Sequence, residues 1–480
     1  MPDARAILQH IAVRAMIDYG LEPELPPQAV EETRRLRDAP VDGLRDLRNL
    51  RWSSIDNEES KDLDQLEVTV EDGDGVRLLI AVADVDALVA KGSALDDHAR
   101  LNTTSVYTTA RIFPMLPETL STDRTSLNEG EDRPALVADM RVGADGNVSG
   151  EVYRAAVRNH AKLTYPAVAA WLEGDGAVPS ALARMPDLEH QLRTQDRLAS
   201  LLRARREQEG ALDFDRAEIK PVMADGAVKE LQVETSNRAR DIIESFMIAA
   251  NGVTARFLTS HGWASIRRVV RAPKRWPRIV EIAAAHGTTL PEAPDARALE
   301  EFLQARRQAE PDVFADLSLS VLKLLGRGEY IADGPGGEEE AHFALAQSNY
   351  THSTAPNRRF PDLVTQRLVK AALGNVRAPY SLAELTPLAE HCTRQEDAAN
   401  KVERRVRKSA AALWLADRIG QEFDAVVTGA SEKGTWVRLL RPPVEGKLER
   451  GFEGLDVGDR LRVRLVKTDA ERGFVDFVRV

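Results

Sequence analysis

Three aspartates stand close together in the segment SSIDNEESKDLDQLEVTV: Asp56, Asp62 and Asp64, with Gln65 directly after them. Carboxylates gathered by a tight loop suit Mg2+, a hard cation that takes oxygen ligands in near-octahedral geometry and keeps several waters. Asp62 and Asp64 are two residues apart, so in extended chain their side chains point the same way. Asp56 lies on the run leading in. A metal held there would serve phosphodiester hydrolysis, by generating hydroxide and offsetting charge on the phosphorane and the leaving oxygen. An acidic surface turn has the same composition, and on the acidic residues alone that plainer reading is favoured.

The elements that must position these residues change character along the chain. From Leu50, RWSSID, QLEVTVED and VRLLIAVADV read as short strands separated by acidic or glycine-containing turns. PAVAAWLEG, HQLRTQDRLASLLRARREQ and NRARDIIESFMIAANGVTARFL then read as helices, so the middle is mixed α and β to about residue 420. FDAVVTGAS, GTWVRLL, DRLRVRLVKTDA and RGFVDFVRV are closely spaced strands that suit an OB-fold barrel, as they suit other small β-barrels. At the start, Ile7, Leu8, Ile11, Ala12 and Met16 fall at helical spacing and Gly20 is a stop. LPPQAVEETRRLRD follows as a second helix entered through prolines. A helix-turn-helix and a helical hairpin packed on the next domain both fit this pair. The expected fold class is α+β in three parts: a helical unit over 1–46, a mixed domain over 47–420 and a barrel over 421–480.

The chain of 480 residues has room for a sizeable core. Cys392 is its only cysteine, which excludes an intrachain disulfide and fits a reducing compartment. The N-terminal run mixes charges into its apolar positions, and no apolar run is long enough to span a bilayer. A cytoplasmic protein without a membrane partner is expected, and no obligate protein partner is evident. The net charge of -11, taken alone, argues against nucleic acid. The arginines are clustered, however: Arg203, Arg205 and Arg206; Arg267 to Arg278; Arg358 and Arg359; and ERRVRK from Glu403 to Lys408. Four such clusters make a basic channel plausible despite the overall sign.

The acidic segment resembles the signature of the ribonuclease II and ribonuclease R catalytic domain, the RNB domain. Asp56, Asp62 and Asp64 match that pattern by spacing, and Gln65 falls where the family has a fourth aspartate. The stretch from VADVDALVAKG to EDRPAL resembles the family downstream of its metal site, with Tyr107 at the place of an aromatic that stacks on a base. GALDFDRAE resembles the segment of a second such aromatic, here Phe214. IIESFMIAAN resembles a helix that usually carries two adjacent glutamates; Glu244 matches one and Ser245 replaces the other. SNYTHSTAPNRRFPDLVTQR resembles the closing motif, with Tyr350, His352, Pro356, Arg358, Arg359 and Asp362 in register. APNR stands where members usually have Ser-Pro-Ile-Arg. The likeness runs over roughly residues 47 to 420, and the C-terminal barrel resembles the RNA-binding barrel that ends these enzymes.

The resemblance implies a 3′-to-5′ exoribonuclease that hydrolyses RNA to nucleoside 5′-monophosphates in RNA degradation and processing. It implies Mg2+, with Mn2+ as an alternative, on Asp56, Asp62, Asp64 and Gln65. Arg358 would clamp the scissile phosphate. Tyr107, Phe214, Glu244, His352 and Arg359 would meet the RNA. The partner implied is a single-stranded 3′ end. Fewer than fifty residues precede the catalytic segment, too few for the cold-shock barrels of the family. A more open entrance, admitting structured RNA with a 3′ overhang, is therefore expected. Gln65 motivates a rival, a catalytically weakened RNA-binding protein on the same fold. The N-terminal helices motivate another, a DNA-binding regulator.

Overall fold

The computed structural model describes residues 3–73, 75–214, 218–224, 226–234, 236–336 and 341–480. Its centre is a sheet of β1 (Trp52–Asp56), β2 (Gln65–Asp72), β3 (Gly75–Ala83), β4 (Asp132–Val142) and β5 (Val148–Thr164), hydrogen-bonded in the order β5-β1-β2-β3-β4. The long β5 pairs antiparallel with β4 through its first part and parallel with β1 through its last, so it closes the run on itself. β3 carries the apolar run LLIAVA and is buried from Leu78 to Ala83, as a strand covered on both faces must be. β2 alternates: Leu66 and Val68 enter the main core, whereas Gln65, Glu67 and Thr69 form a buried polar row on the other side.

Helices pack around this sheet. α1 (Ala4–Asp18) buries Leu8, Ile11, Ala12, Ala15 and Met16, and α2 (Pro27–Arg35) enters through Pro26 and Pro27. α3 (Ala94–Asn102) leads to the first aromatic segment. α4 (Pro186–Gln208) and α5 (Arg238–Ser260) lie side by side, and α5 buries Ile242, Phe246, Ala250 and Val253 in the sheet core. α6 (Phe360–Leu373) is buried along most of its length. α7 (Leu382–Leu415) opens with a capping box, Ser381 and Glu384 satisfying each other's backbone N–H groups. α1 packs along α7, and α2 against α3, so the two N-terminal helices are seated on different elements.

The chain ends in a closed barrel of β6 (Glu422–Ser431), β7 (Gly434–Leu439), β8 (Glu445–Arg450), β9 (Arg460–Asp469) and β10 (Phe474–Arg479), in the order β6-β7-β8-β10-β9. Ala411, Ala412 and Leu415 at the end of α7 join the barrel core, which ties it to the mixed part of the fold. The α+β expectation and the C-terminal barrel are both found. Among the described residues no helix is long and apolar enough to cross a membrane.

Candidate active site

The acidic loop between β1 and β2 is pinned before its aspartates act on anything. Leu63 N–H donates to Ser126 Oγ at 3.0 Å, Ser126 Oγ donates to the Lys61 carbonyl at 2.7 Å, and Leu127 N–H donates to the Leu63 carbonyl at 3.0 Å. Two distant segments then close on the loop. Phe360 N–H donates to the Thr103 carbonyl at 2.8 Å and Ser105 N–H to the Arg358 carbonyl at 3.0 Å, strapping the chain after α3 to the chain before α6. The strap begins at Thr103, a non-glycine residue in the left-handed region at φ 59°, which turns the chain sharply off α3.

This places Asp62, Asp64, Tyr107 and Arg358 together. Asp64 is buried at 2% exposure. Its Oδ1 accepts from Asn357 N–H and its Oδ2 from Arg358 Nε, each at 3.0 Å. Burial raises its pKa to about 7, and Asp62 adds to the rise, although Arg358 and the Asn357 N–H oppose it. The Tyr107 hydroxyl donates to Asp62 Oδ2 at 2.6 Å, and its side chain stays 40% exposed. Arg358 keeps 45% of its side chain open to solvent.

Asp56, at the end of β1, accepts from Asn57 N–H at 2.7 Å and from Ser60 Oγ at 2.9 Å. Close to it is Glu67, a residue that sequence reasoning misses. Glu67 is fully buried, and no hydrogen bond of ordinary geometry reaches its carboxylate; the Ile55 N–H lends only a weak pull. Burial, with Asp56 adding, pushes its pKa well up. Its signal in the sequence is an acid at an inward position of the strand QLEVTVED. Gln65 is buried at the start of the same polar row.

A cavity of about 830 Å3 adjoins this end of the sheet, lined by Tyr165 next to Asp56 and by Arg240, Phe214, Glu244 and Ser245. The Arg240 guanidinium stacks on Tyr165 at 4.7 Å and donates to Asn57 Oδ1 at 3.1 Å, joining cavity and acidic loop. Phe214 is half-buried, resting on the cluster around Trp276 and Phe302. Glu244 is exposed to the cavity from α5. His352 lies in a different setting. Its ring packs edge-on between Tyr330 and Tyr350, Nδ1 bonds the Tyr330 hydroxyl at 2.9 Å, and burial with Arg359 and Arg268 holds its pKa far down. Arg359 donates to buried Asp362 at 2.7 Å, and Asp362 accepts from Ala355 N–H at 2.8 Å, so the pair fixes the loop that presents Arg358. The arginine clusters are largely ion-paired within the chain, as in Arg205–Glu209, Arg268–Glu396, Arg278–Glu281 and Arg405–Asp18.

The RNB domain profile matches residues 44–375, and the RNase II-type exonuclease C-terminal S1 domain profile matches residues 421–480.

The chain belongs to the RNB domain family.

It is 30% identical over 499 residues to ribonuclease R of Escherichia coli strain K12, covering 95% of this chain and 60% of that protein. It is 29% identical over 489 residues to ribonuclease R 1 of Lactococcus lactis, covering 95% and 58%. The chain thus spans about three-fifths of the length of these relatives. Mycoplasma genitalium RNase R, solved in complex with ribose-methylated single-stranded RNA, superposes with a TM-score of 0.88 at 22% identity, covering all of this chain and 78% of the other, a likeness of fold.

Whether an RNB chain can take a divalent ion here is answered by its donors. Among the described residues no three acidic, histidine or cysteine side chains converge on one point; each aspartate faces a protein donor instead. The side chains of Asp56, Asp62, Asp64 and Gln65 nonetheless offer only oxygen ligands to a cation, three carboxylates and one amide, and burial with Asp62 raises the pKa of Asp64 even with Arg358 beside it. That set suits a hard cation.

Proposed function

We propose that this RNB protein is a metal-dependent 3′-to-5′ exoribonuclease of the cytoplasm, releasing nucleoside 5′-monophosphates from single-stranded 3′ ends in RNA degradation and processing. The work is divided among a helical unit over 1–46, the catalytic domain over 47–420 and an RNA-binding barrel over 421–480. The observation that carries the reading is the pairing of Asp64 with Arg358 across 294 positions of sequence, beside Asp62 and Tyr107.

Asp56, Asp62, Asp64 and the Gln65 carbonyl would hold Mg2+ or Mn2+. Such an ion, when bound, supplies a Lewis acid that lowers the pKa of water and offsets phosphate charge. The protein's own residues do the rest. Arg358, free of hydrogen bonds on its solvent side among the described residues, meets the negative charge that grows on the scissile phosphate, a contact realised most fully in the transition state. Asp64 orients that guanidinium through Nε. Tyr107 offers its exposed face to a base while its hydroxyl steadies Asp62. Phe214 offers a second platform in the cavity, which Glu244 also lines. His352, neutral and packed, and Arg359, paired with Asp362, hold the loop along the RNA path. The ribose 2′-hydroxyl is the group by which such a site separates RNA from DNA.

A second reading, an RNA-binding protein with weakened catalysis, is favoured by Gln65, which brings no charge to the fourth ligand position. Incubating a 5′-labelled, 3′-tailed RNA with the protein and each metal separates the two. Stepwise shortening from the 3′ end supports the enzyme. Binding without shortening, under single-turnover conditions with either metal, overturns it.

A further inference from the structure

The guanidinium groups around the large cavity are not equivalent. Arg203 is neutralised by Asp213, by Glu207 at 3.0 Å and by Asp241 at 2.8 Å. Arg238 meets Asp196 at 2.6 Å, and Arg307 meets Asp213 at 2.5 Å. Arg206, between them on α4, is different. Its Nη2 donates to Ser245 Oγ at 3.2 Å, and among the described residues no carboxylate comes within ion-pairing distance of it. Glu244, next to Ser245 on α5, acts on it electrostatically without pairing. Burial lowers the pKa of this guanidinium below its ordinary value, against the pull of Glu244.

A half-buried cation with one neutral partner is costly. The cost is offset when an anion enters. Ser245 takes one of the two hydrogens on Nη2, which leaves the other Nη2 hydrogen, with the nitrogen beside it, Nε or Nη1, for a planar, two-pronged contact of the kind arginine makes to phosphate. A carboxylate at position 245 would occupy that fork; the serine there leaves it available. Phe214 lines the same cavity, so a nucleotide base and a phosphate can be met together.

We propose that Arg206 is a phosphate-binding residue of this cavity, engaging a nucleotide of the RNA whose base lies against Phe214. The inference rests on the RNA reading given above and adds a residue to it. The phosphate is either an internal phosphodiester or a terminal 3′-phosphate.

The test is equilibrium binding by the full chain with divalent ions chelated, so that RNA is held but not consumed. The probe is a short 5′-fluorescein single-stranded RNA, prepared once with a 3′-hydroxyl and once with a 3′-phosphate, titrated over a range of salt. Arg206→Gln should weaken binding on the order of ten-fold, the scale of one charge-assisted hydrogen bond. It should also flatten the slope of log K against log salt by about 0.7, the value of one phosphate contact on a single strand. Arg206→Lys, which keeps the charge and loses the fork, should retain the slope. Thermal melting reports whether each variant is folded, and the lysine variant carries the test if the glutamine variant is not. Equal losses on both probes assign an internal phosphate; a loss confined to the 3′-phosphate probe assigns the terminus. Unchanged affinity and slope in folded Arg206→Gln overturn the proposal, as does a lysine variant that loses as much slope as the glutamine one. Wild-type protein that binds neither probe sinks the RNA reading itself, a different result from either.

Discussion

The acidic loop and Arg206 of the cavity beside it treat their charges in opposite ways. Each aspartate of the loop is matched to a donor: Asp56 to Ser60, Asp62 to Tyr107, Asp64 to Arg358. In the cavity, Arg206 donates to the Ser245 hydroxyl and, among the described residues, is ion-paired with no carboxylate. Two of the loop's donors, Tyr107 and Arg358, arrive from segments far away in sequence, so its geometry depends on the whole fold, whereas Arg206 and Ser245 sit on two adjacent helices. A site that does chemistry must be placed tightly and tuned, while a site that holds a polymer can leave a charge waiting for it. Substitutions on each side show whether that division is real.

Asp64→Asn should have the largest effect. The side chain keeps its shape and loses the charge beside the proposed metal, so single-turnover cleavage should fall to background while RNA affinity stays near that of wild type. Stability gives an independent readout. The folded pKa is raised to about 7 from 3.8, so between those values the native state binds more protons than the unfolded state. The contribution of Asp64 to stability is thus present in acid and is lost as pH rises through that window. Without metal, Asp64→Asn should melt above wild type at pH 8 and match it near pH 4. A variant that melts lower at both pH values would show that Asp64 supports the fold through its charge.

Arg358→Ala should come next. Removing a donor that acts on transition-state charge costs on the order of a hundred-fold or more in rate. It also leaves Asp64 with only the Asn357 N–H, so the acid limb of the rate profile should move to higher pH. A pure affinity loss with an unchanged single-turnover rate would move Arg358 to the binding side of the comparison.

How much of this arrangement is readable in advance follows the same division. The acidic loop lies within ten residues of sequence, and the helices around it announce themselves by apolar periodicity, so both are legible. The strap from Thr103 to Phe360 is tertiary and leaves no local mark. Glu67 looks like an ordinary acid of an alternating strand until burial is known. The barrel strand Glu445–Arg450 is too charged to stand out, since Gly446 and Leu448 are its only buried positions. The arginine clusters mislead in the other direction: they read as a basic channel, and many are neutralised inside the chain. Sequence displays charge without showing its partners.

Tyr107 tests whether one side chain can serve both regions. Its hydroxyl belongs to the acidic loop and its exposed ring to the RNA path. Tyr107→Ala should change the length at which digestion stops, because a base stack is worth roughly 1–3 kcal/mol and a short RNA has few others. Tyr107→Phe should keep that length and lose part of the rate. If the alanine variant yields the same small products as wild type, the ring is not a clamp.

Gln65→Asp should have the smallest effect on rate, and its sign separates metal from protein. Gln65 opens the buried row that continues to Glu67, whose carboxylate already lacks a hydrogen bond. A further carboxylate there is costly without a cation, since nearby like charges and desolvation both disfavour ionisation. In chelator the variant should therefore melt below wild type. With Mg2+ the added anionic ligand is offset, so the difference should shrink and the Mg2+ concentration for half-maximal cleavage should fall. Thermal melting with and without Mg2+ checks the first half, and a metal titration of cleavage the second. A variant destabilised equally in both conditions, with no gain in metal response, would show that position 65 faces the protein interior alone and that the carboxylates of the loop work without it.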